Sequence, residues 1–171
     1  MDVEEEITGI HWLRNQGKYM KMFTSNSKSI KFWKIFEKAE KKVVKSAGKE
    51  LNMPKLQNVE SNLTSTLLKT FPNKHLSNIN SISVSSNEEY VLSSDDVHAY
   101  LWGLEDADRP FVAVDLLGNE KIEDIKENIT FSKMHPTTDS LFMFGTNKGT
   151  LKMCDLRVSV SSDNNAINFK N

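Results

Sequence analysis

The stretch LSSDDVHAYLWGL (residues 92–104) decides the fold, because two other stretches of the chain repeat its plan. The other two are FTSNSKSIKFWKI (23–35) and FGTNKGTLKMCDL (144–156). Each begins with an apolar residue and small polar residues, passes through a polar turn, and continues as an alternating run. Such alternation is typical of a β-strand with two different faces, and Asn, Asp, Ser and Gly favour turns. The repeat predicts three hairpins, whose second strands close on Trp33, Trp102 and Cys154.

Further strand candidates precede each hairpin and complete a repeating unit. They are ITGIHWL (7–13), INSISVS (79–85) and ITFSKMHP (129–136), and FVAVDLL (111–117) adds a fourth strand to the middle unit. Once insertions are allowed for, the period matches the roughly 40–45 residues of a four-stranded propeller blade. The sequence therefore predicts an all-β chain of WD40-like repeats, in which the three closing residues and Trp12 pack within and between blades.

Three blades are too few for a closed ring, which needs about four to eight. We therefore expect a partial propeller, a truncated product or a ring completed by another chain, with apolar faces open at both ends. A long insertion at 36–78 lies within the first unit, and its lysine- and glutamate-rich start is expected to be helical or solvated. A second insertion at 118–128 is expected to form a helical turn, and 161–171 a disordered tail.

Composition excludes several classes of function. The chain has 171 residues, 26% of them charged, and a net charge of −1, so neither nucleic acid nor a membrane surface is expected as a partner. The acidic start lacks the pattern of a secretory signal, and one cysteine, Cys154, suits a reducing compartment. We expect a cytoplasmic protein. The lysine run at 38–49 leaves the nucleus open as a second location, but glutamates interrupt it.

The turn of the middle hairpin raises the question of function. Asp95, Asp96 and His98 suggest a metal or acid/base cluster, but no further His or Cys pattern accompanies them. The alternative is a turn in which Asp95 binds backbone amides while Asp96 faces a partner protein. No phosphate loop or catalytic motif is present, so no cofactor and no enzymatic activity are expected.

Longer strings resemble one family. NINSISVSSNEEYVLSSDDVHAYLWGLE, ITFSKMHP and FMFGTNKGTLKMCDLRVSVSSDNNAINF are similar, in order and spacing, to the 55 kDa regulatory B subunit of protein phosphatase 2A. The most specific piece is KGTLKMCDLR at 148–157. The resemblance implies blades two to four of a seven-bladed propeller. It also implies a non-catalytic subunit that docks on the phosphatase scaffold (A) and catalytic (C) subunits and presents phosphoprotein substrates to them.

The resemblance also implies the substrate-binding residues. Asp95, Asp96 and Val97 correspond to an acidic platform, and Ile125 and Asn128 to a short segment that adds contacts. Ser77 and Asn78 stand where the family has a tyrosine and a histidine, which makes Asn78 a candidate at that place. Glu5, within the acidic run 4–6, is a further candidate near the platform. Insertion 36–78 takes the place of the family's hairpin to the scaffold. The alternatives are a generic WD40-type scaffold, a non-functional paralogue and, less favoured, a small hydrolase using Asp95, Asp96 and His98.

Overall fold

The computed structural model describes residues 6–14, 17–44, 55–118, 125–158 and 167–170. The regular elements of this part of the chain are all strands, which confirms the predicted all-β class. In order they are β1 (Ile7–Trp12), β2 (Tyr19–Asn26), β3 (Ile30–Val44), β4 (Lys55–Phe71), β5 (Ser81–Val84), β6 (Tyr90–Ser94), β7 (His98–Gly103), β8 (Phe111–Asp115), β9 (Ile129–Met134), β10 (Leu141–Thr146), β11 (Thr150–Asp155) and β12 (Ile167–Lys170). The described residues contain no helix that is long and apolar enough to cross a membrane.

The strands form three antiparallel sheets of four strands each. Blade 1 has the order β1-β2-β3-β4, blade 2 the order β5-β6-β7-β8, and blade 3 the order β9-β10-β11-β12. Each blade is a simple meander, as the repeat in the sequence predicts, and the inner strands β1, β5 and β9 lie next to one another. The fold is a partial WD40-type propeller.

Apolar side chains fill the two interfaces between blades. Between blades 1 and 2, the Phe23 ring stacks on Phe32 at 4.4 Å, and Phe71 meets Trp102 edge-on at 5.7 Å. Between blades 2 and 3, Cys154 joins a cluster with aliphatic and aromatic side chains that include Phe142. Trp102 and Cys154 are both buried, as predicted. Four aromatic side chains, Phe23, Phe32, Phe71 and Trp102, belong to the cluster at the first interface.

Trp12 departs from the prediction, because 54% of its surface is exposed. Its strand position pairs with Met22, which pairs in turn with Trp33, so the three side chains share one face of blade 1. Within the described residues no blade packs against that face, which carries a cavity of about 140 Å³. Trp33 is only partly buried there, and its Nε1 donates to Thr24 Oγ1 at 2.9 Å. We call this surface the open face of blade 1.

The insertion expected at 36–78 is mostly a continuation of the outer strands of blade 1. β3 and β4 stay paired from Ile30↔Phe71 to Val44↔Lys55, with residues 45–54 outside the described part. The helix considered for the lysine-rich start is therefore wrong up to Val44, because the cross-strand ladder with β4 satisfies its backbone. In the 161–171 tail, where disorder is expected, residues 167–170 form β12 and pair with β11. Residues 119–124, which hold most of the expected helical turn, lie outside the described residues.

Candidate functional site

Three hairpin turns lie at one end of the blades, together with the connections between blades. The turns span 27–29, 95–97 and 147–149, and the connections contribute 72–80, 116–118 and 125–128. Backbone hydrogen bonds join neighbours across this end. Ile79 N donates to Ser27 O at 3.2 Å, and Ile129 N donates to Asp96 O at 2.8 Å. We call these residues the turn edge.

Asp95 is completely buried within the turn edge. Its Oδ1 accepts hydrogen bonds from the backbone amides of Val97 (2.8 Å) and His98 (2.6 Å), and its Oδ2 accepts from the amide of Leu76 (3.1 Å). The ring of His75 adds a fourth bond at 3.0 Å. The role of Asp95 as a turn-stabilising residue fits this geometry. Its assignment as a partner-facing acid stays a prediction, which the burial of the side chain does not favour.

A continuous line of hydrogen bonds connects this carboxylate to the centre of the blade. Trp102 Nε1 donates to Ser93 Oγ at 2.7 Å, and Ser93 Oγ lies 2.8 Å from His75 Nε2. His75 Nδ1 then donates to Asp95 Oδ2. Burial by itself raises the pKa of Asp95, but the bonds from His75, His98 and Val97 outweigh it and hold the pKa below its usual value. The Asp95 carboxylate is therefore a structural anchor that is held ionised.

The geometry around His98 does not form a catalytic centre. The ring Nδ1 lies 3.9 Å from Asp95, and Nε2 lies 3.4 Å from Asp115 Oδ1. Among the described residues, the buried Nδ1 has no hydrogen-bond partner, so no nucleophile is paired with it. The described part of the chain also holds no group of three or more His, Cys, Asp or Glu side chains that could bind a metal. The hydrolase alternative has no support in this arrangement.

Asp96 differs from its neighbour because it is only half-buried. Its Oδ1 accepts a 2.8 Å hydrogen bond from Asn80 Nδ2, which also donates to Ile129 O at 3.1 Å. The Asp96 amide donates to Ser77 Oγ at 3.1 Å. These bonds fix the carboxylate at the junction of blades 2 and 3 with part of it in solvent. Val97, predicted to face a partner beside it, is only 3% exposed; its contact with a partner stays a prediction, which this burial does not favour.

Asn128 belongs to the same junction. Its amide donates to Asn147 Oδ1 at 3.0 Å, its carbonyl accepts from Asn147 N, and the next residue, Ile129, bonds to Asp96. Ile125 and Asn128 are both half-buried in the connection to blade 3. The turn edge therefore brings Asp96 and Asn128 together across two blades.

The remaining two candidates have different outcomes. Asn78 is exposed on the turn edge, next to Ser77, whose hydroxyl contacts Asp96. Glu5 lies outside the described residues. Whether Asp96, Ile125, Asn128, Asn78 and Glu5 contact a partner stays a prediction.

Several residues at the turn edge have roles that the sequence patterns did not indicate. Glu127 accepts a hydrogen bond from Thr150 Oγ1 at 2.9 Å and lies 3.8 Å from Lys148 Nζ. Although burial raises its pKa, bonds from Thr146 and Thr150 reverse the effect and lower it, so Glu127 adds a carboxylate close to Asn128. His75 and Asn80, in turn, hold Asp95 and Asp96. The one feature of the sequence that could have indicated these roles is that His75 and Asn80 flank the start of the blade 2 repeat.

Known proteins identify the relationship. No protein-family model matches the chain. Over 99% of its length, it is 34% identical to the gamma isoform of the 55 kDa regulatory B subunit of protein phosphatase 2A from Mus musculus, covering 40% of that protein. A PP2A regulatory B subunit from Candida tropicalis is also 34% identical, with 36% covered, and a phosphatase 2A regulatory subunit from Dictyostelium discoideum is 32% identical, with 44% covered. The chain is homologous to part of the protein phosphatase 2A regulatory B subunit.

The chain thus spans between 36% and 44% of the length of these relatives. Solved structures support the fold alone. The β-propeller domain of Cps50 (Swd1) from Myceliophteria thermophila superposes with a TM-score of 0.55 at 14% identity, covering 96% of this chain and 38% of that one. The relatives in sequence are named as regulatory subunits of a phosphatase.

Proposed function

We propose that this chain is a non-catalytic regulatory component of protein phosphatase 2A and that its turn edge binds substrates. The homology to regulatory B subunits over 99% of the chain supports the regulatory role. The single observation that supports the substrate-binding part is the position of Asp96. Its half-exposed carboxylate is held at the junction of two blades. The backbone carbonyl of Asp96 accepts a hydrogen bond from Ile129, the residue that follows Asn128.

The chemistry of this edge suits a basic peptide segment. Asp96, Glu127 and Asp115 each carry a carboxylate on or beside the turn edge, and a lysine or arginine of a substrate would pair with such groups. Charges at a rim raise the rate of encounter and select orientation more than they add affinity. Because Asn80 fixes the Asp96 carboxylate, little side-chain entropy is lost when a partner binds. Dephosphorylation of the held substrate would then gain from local concentration at the partner's active site.

We further propose that the scaffold and catalytic subunits of the phosphatase are partners of this chain, in the cytoplasm. The extended β3–β4 hairpin would contact the scaffold subunit. Its support is the length of the paired strands, 15 and 17 residues, well beyond the four to six residues of the strands in blade 2. A hairpin that continues past its sheet offers a surface of its own to another protein.

A reconstitution experiment tests this proposal. The tagged chain is mixed with purified scaffold and catalytic subunits, and retained protein is quantified after washing. Retention of both subunits is expected, and replacing residues 38–60 by a short turn should abolish it. The matched control is Lys28→Gln, a charge change on an exposed turn of the same blade. If neither subunit is retained by the unmodified chain, the proposal fails and a generic WD40-type interaction scaffold becomes the better interpretation.

A further inference from the structure

A second cavity lies at the end of the blades opposite the turn edge. Its volume is about 230 Å³, several times the roughly 30 Å³ that one water occupies in the liquid. The ends of the three inner strands β1, β5 and β9, and the loops that follow them, line it. One cavity therefore collects side chains from all three blades, and it does not overlap the turn edge.

The hollow exists because the middle strand contributes small side chains. Ser83 and Ser85 of blade 2 are buried in its floor, while larger groups from blades 1 and 3 flank them. Ser83 Oγ already accepts a hydrogen bond from Met134 N at 3.1 Å, and Ser85 Oγ accepts one from Tyr90 N at 3.0 Å. The serines are thus committed to the fold. A ligand would be bound by the flanking groups.

Two of the flanking groups are cations. Arg14 comes from blade 1 and Lys133 from blade 3, and among the described residues neither has an ion-pair partner. Glu88 is the acid in the lining, and its Oε1 accepts a 2.6 Å hydrogen bond from the Arg14 amide, not from the guanidinium. The cavity therefore keeps an excess of positive charge.

Two histidines complete the lining. His135 Nδ1 accepts the Thr138 amide at 3.0 Å, so the neutral ring carries its proton on Nε2 and that nitrogen is a donor. Burial lowers the pKa of His11, and the nearby ammonium of Lys133 lowers it further against the opposing effect of Glu88. The His11 ring is thus uncharged at neutral pH and close to Lys133. Exposed Trp12 borders the same space.

We propose that this cavity binds a phosphate group. Four nitrogen-bearing side chains on the two flanking blades, Arg14, Lys133, His11 and His135, line one small space. A tetrahedral oxyanion has enough acceptor oxygens for several donors that approach from different directions, whereas a planar carboxylate has two oxygens. The volume suits a single phosphate with little of the molecule that carries it. The inference is independent of the substrate role of the turn edge, because the two sites lie at opposite ends of the strands.

Equilibrium dialysis of the full chain against radiolabelled inorganic phosphate, at low salt, tests the site whatever the association state of the protein. A second arm uses a phosphoserine peptide with its unphosphorylated form. Saturable binding is expected, and Lys133→Gln and Arg14→Gln should each weaken it about tenfold or more, because each removes a charge-assisted hydrogen bond. Arg109→Gln removes the same charge at an exposed position between β7 and β8, outside both the cavity lining and the turn edge, and should leave binding unchanged. The circular dichroism of each variant verifies its strand content.

Some outcomes identify the molecule that carries the phosphate, and others overturn the proposal. Tighter binding of the phosphopeptide, if Lys133→Gln weakens it, indicates a phosphoprotein ligand of the cavity. Tighter binding of inorganic phosphate indicates a small molecule. The proposal is overturned if neither probe binds, if Arg109→Gln weakens binding as much as Lys133→Gln, or if a folded Lys133→Gln chain binds as the unmodified chain does.

Discussion

Replacing Asp95 by alanine is expected to destabilise the chain far more than the same change at the adjacent Asp96. Asp95 accepts four hydrogen bonds, from the amides of Leu76, Val97 and His98 and from the ring of His75. Alanine removes every acceptor and leaves these donors without their partner in a largely buried space. Asp96→Ala removes one side-chain acceptor, used by Asn80 at a half-exposed position.

The magnitudes follow from the number and burial of these bonds. A buried donor left without a partner costs about 1–3 kcal/mol, and a net hydrogen bond contributes about 0.5–1.5 kcal/mol. With four donors affected and some of them reached by water once the carboxylate is gone, Asp95→Ala should lower the free energy of unfolding by about 3–5 kcal/mol. Asp96→Ala should lower it by about 1 kcal/mol or less. Because domains are stable by about 5–15 kcal/mol, the first change threatens folding and the second does not.

Urea denaturation followed by circular dichroism, at one protein concentration for all variants, measures the difference. The protein concentrations must be equal so that association through the open blade faces makes the same contribution to the apparent free energy of unfolding of each variant. Asp95→Asn serves as a matched control, since it keeps the shape and one acceptor oxygen and should fall between the two. Equal midpoints for Asp95→Ala and Asp96→Ala would refute the assignment of Asp95 as a buried anchor.

Three further predictions concern other parts of the chain. The pKa of Asp95 is lowered in the folded state, so its contribution to stability is present above the unfolded value near 3.8 and is lost as pH falls below it. The difference in unfolding free energy between the unmodified chain and Asp95→Asn should therefore shrink as the pH is lowered, and a constant difference would contradict this. Burial raises the pKa of Cys154 to about 11, against a smaller opposite effect of Lys152. Iodoacetamide should therefore modify the thiol at pH 8 only after urea is added, and rapid labelling of the folded chain would contradict the burial of Cys154. The open face of blade 1 should make the 171-residue chain associate, as measured by size-exclusion chromatography. Trp12→Ser should reduce this association, while Phe111→Ser, at an exposed position of blade 2, should not. A compact monomer of the unmodified chain would contradict this prediction.

The repeat in the sequence was sufficient to locate the blades, but it did not predict which face of each blade is buried. The spacing of Trp33, Trp102 and Cys154 follows from the meander itself, so the hairpins could be located without coordinates. Trp12 could not be placed correctly, because its alternation fits a strand with either face buried. Which face is covered depends on the neighbouring blade, and blade 1 has such a neighbour on one side within this chain.

The turn edge shows why adjacent acids were not separated by sequence alone. Asp95 and Asp96 have the same chemistry, and their opposite exposures come from the direction of the chain through a tight turn. The partners that decide their roles are distant, since His75 lies 20 residues before Asp95 and Asn80 lies 16 residues before Asp96. Likewise, the strand extension up to Val44 depends on a partner strand beyond residue 54, which outweighs the local preference of a lysine- and glutamate-rich segment.

The measurement that tests the central claim most directly is the dephosphorylation rate of a phosphopeptide with a basic flanking segment, by scaffold and catalytic subunits assembled with this chain. The account predicts that Asp96→Lys lowers kcat/KM about tenfold at low ionic strength, by placing a like charge against the peptide. The difference should narrow in high salt, because the Debye length falls from about 10 Å at 0.1 M to about 3 Å at 1 M. Equal kcat/KM for the unmodified and Asp96→Lys assemblies at low salt would contradict it.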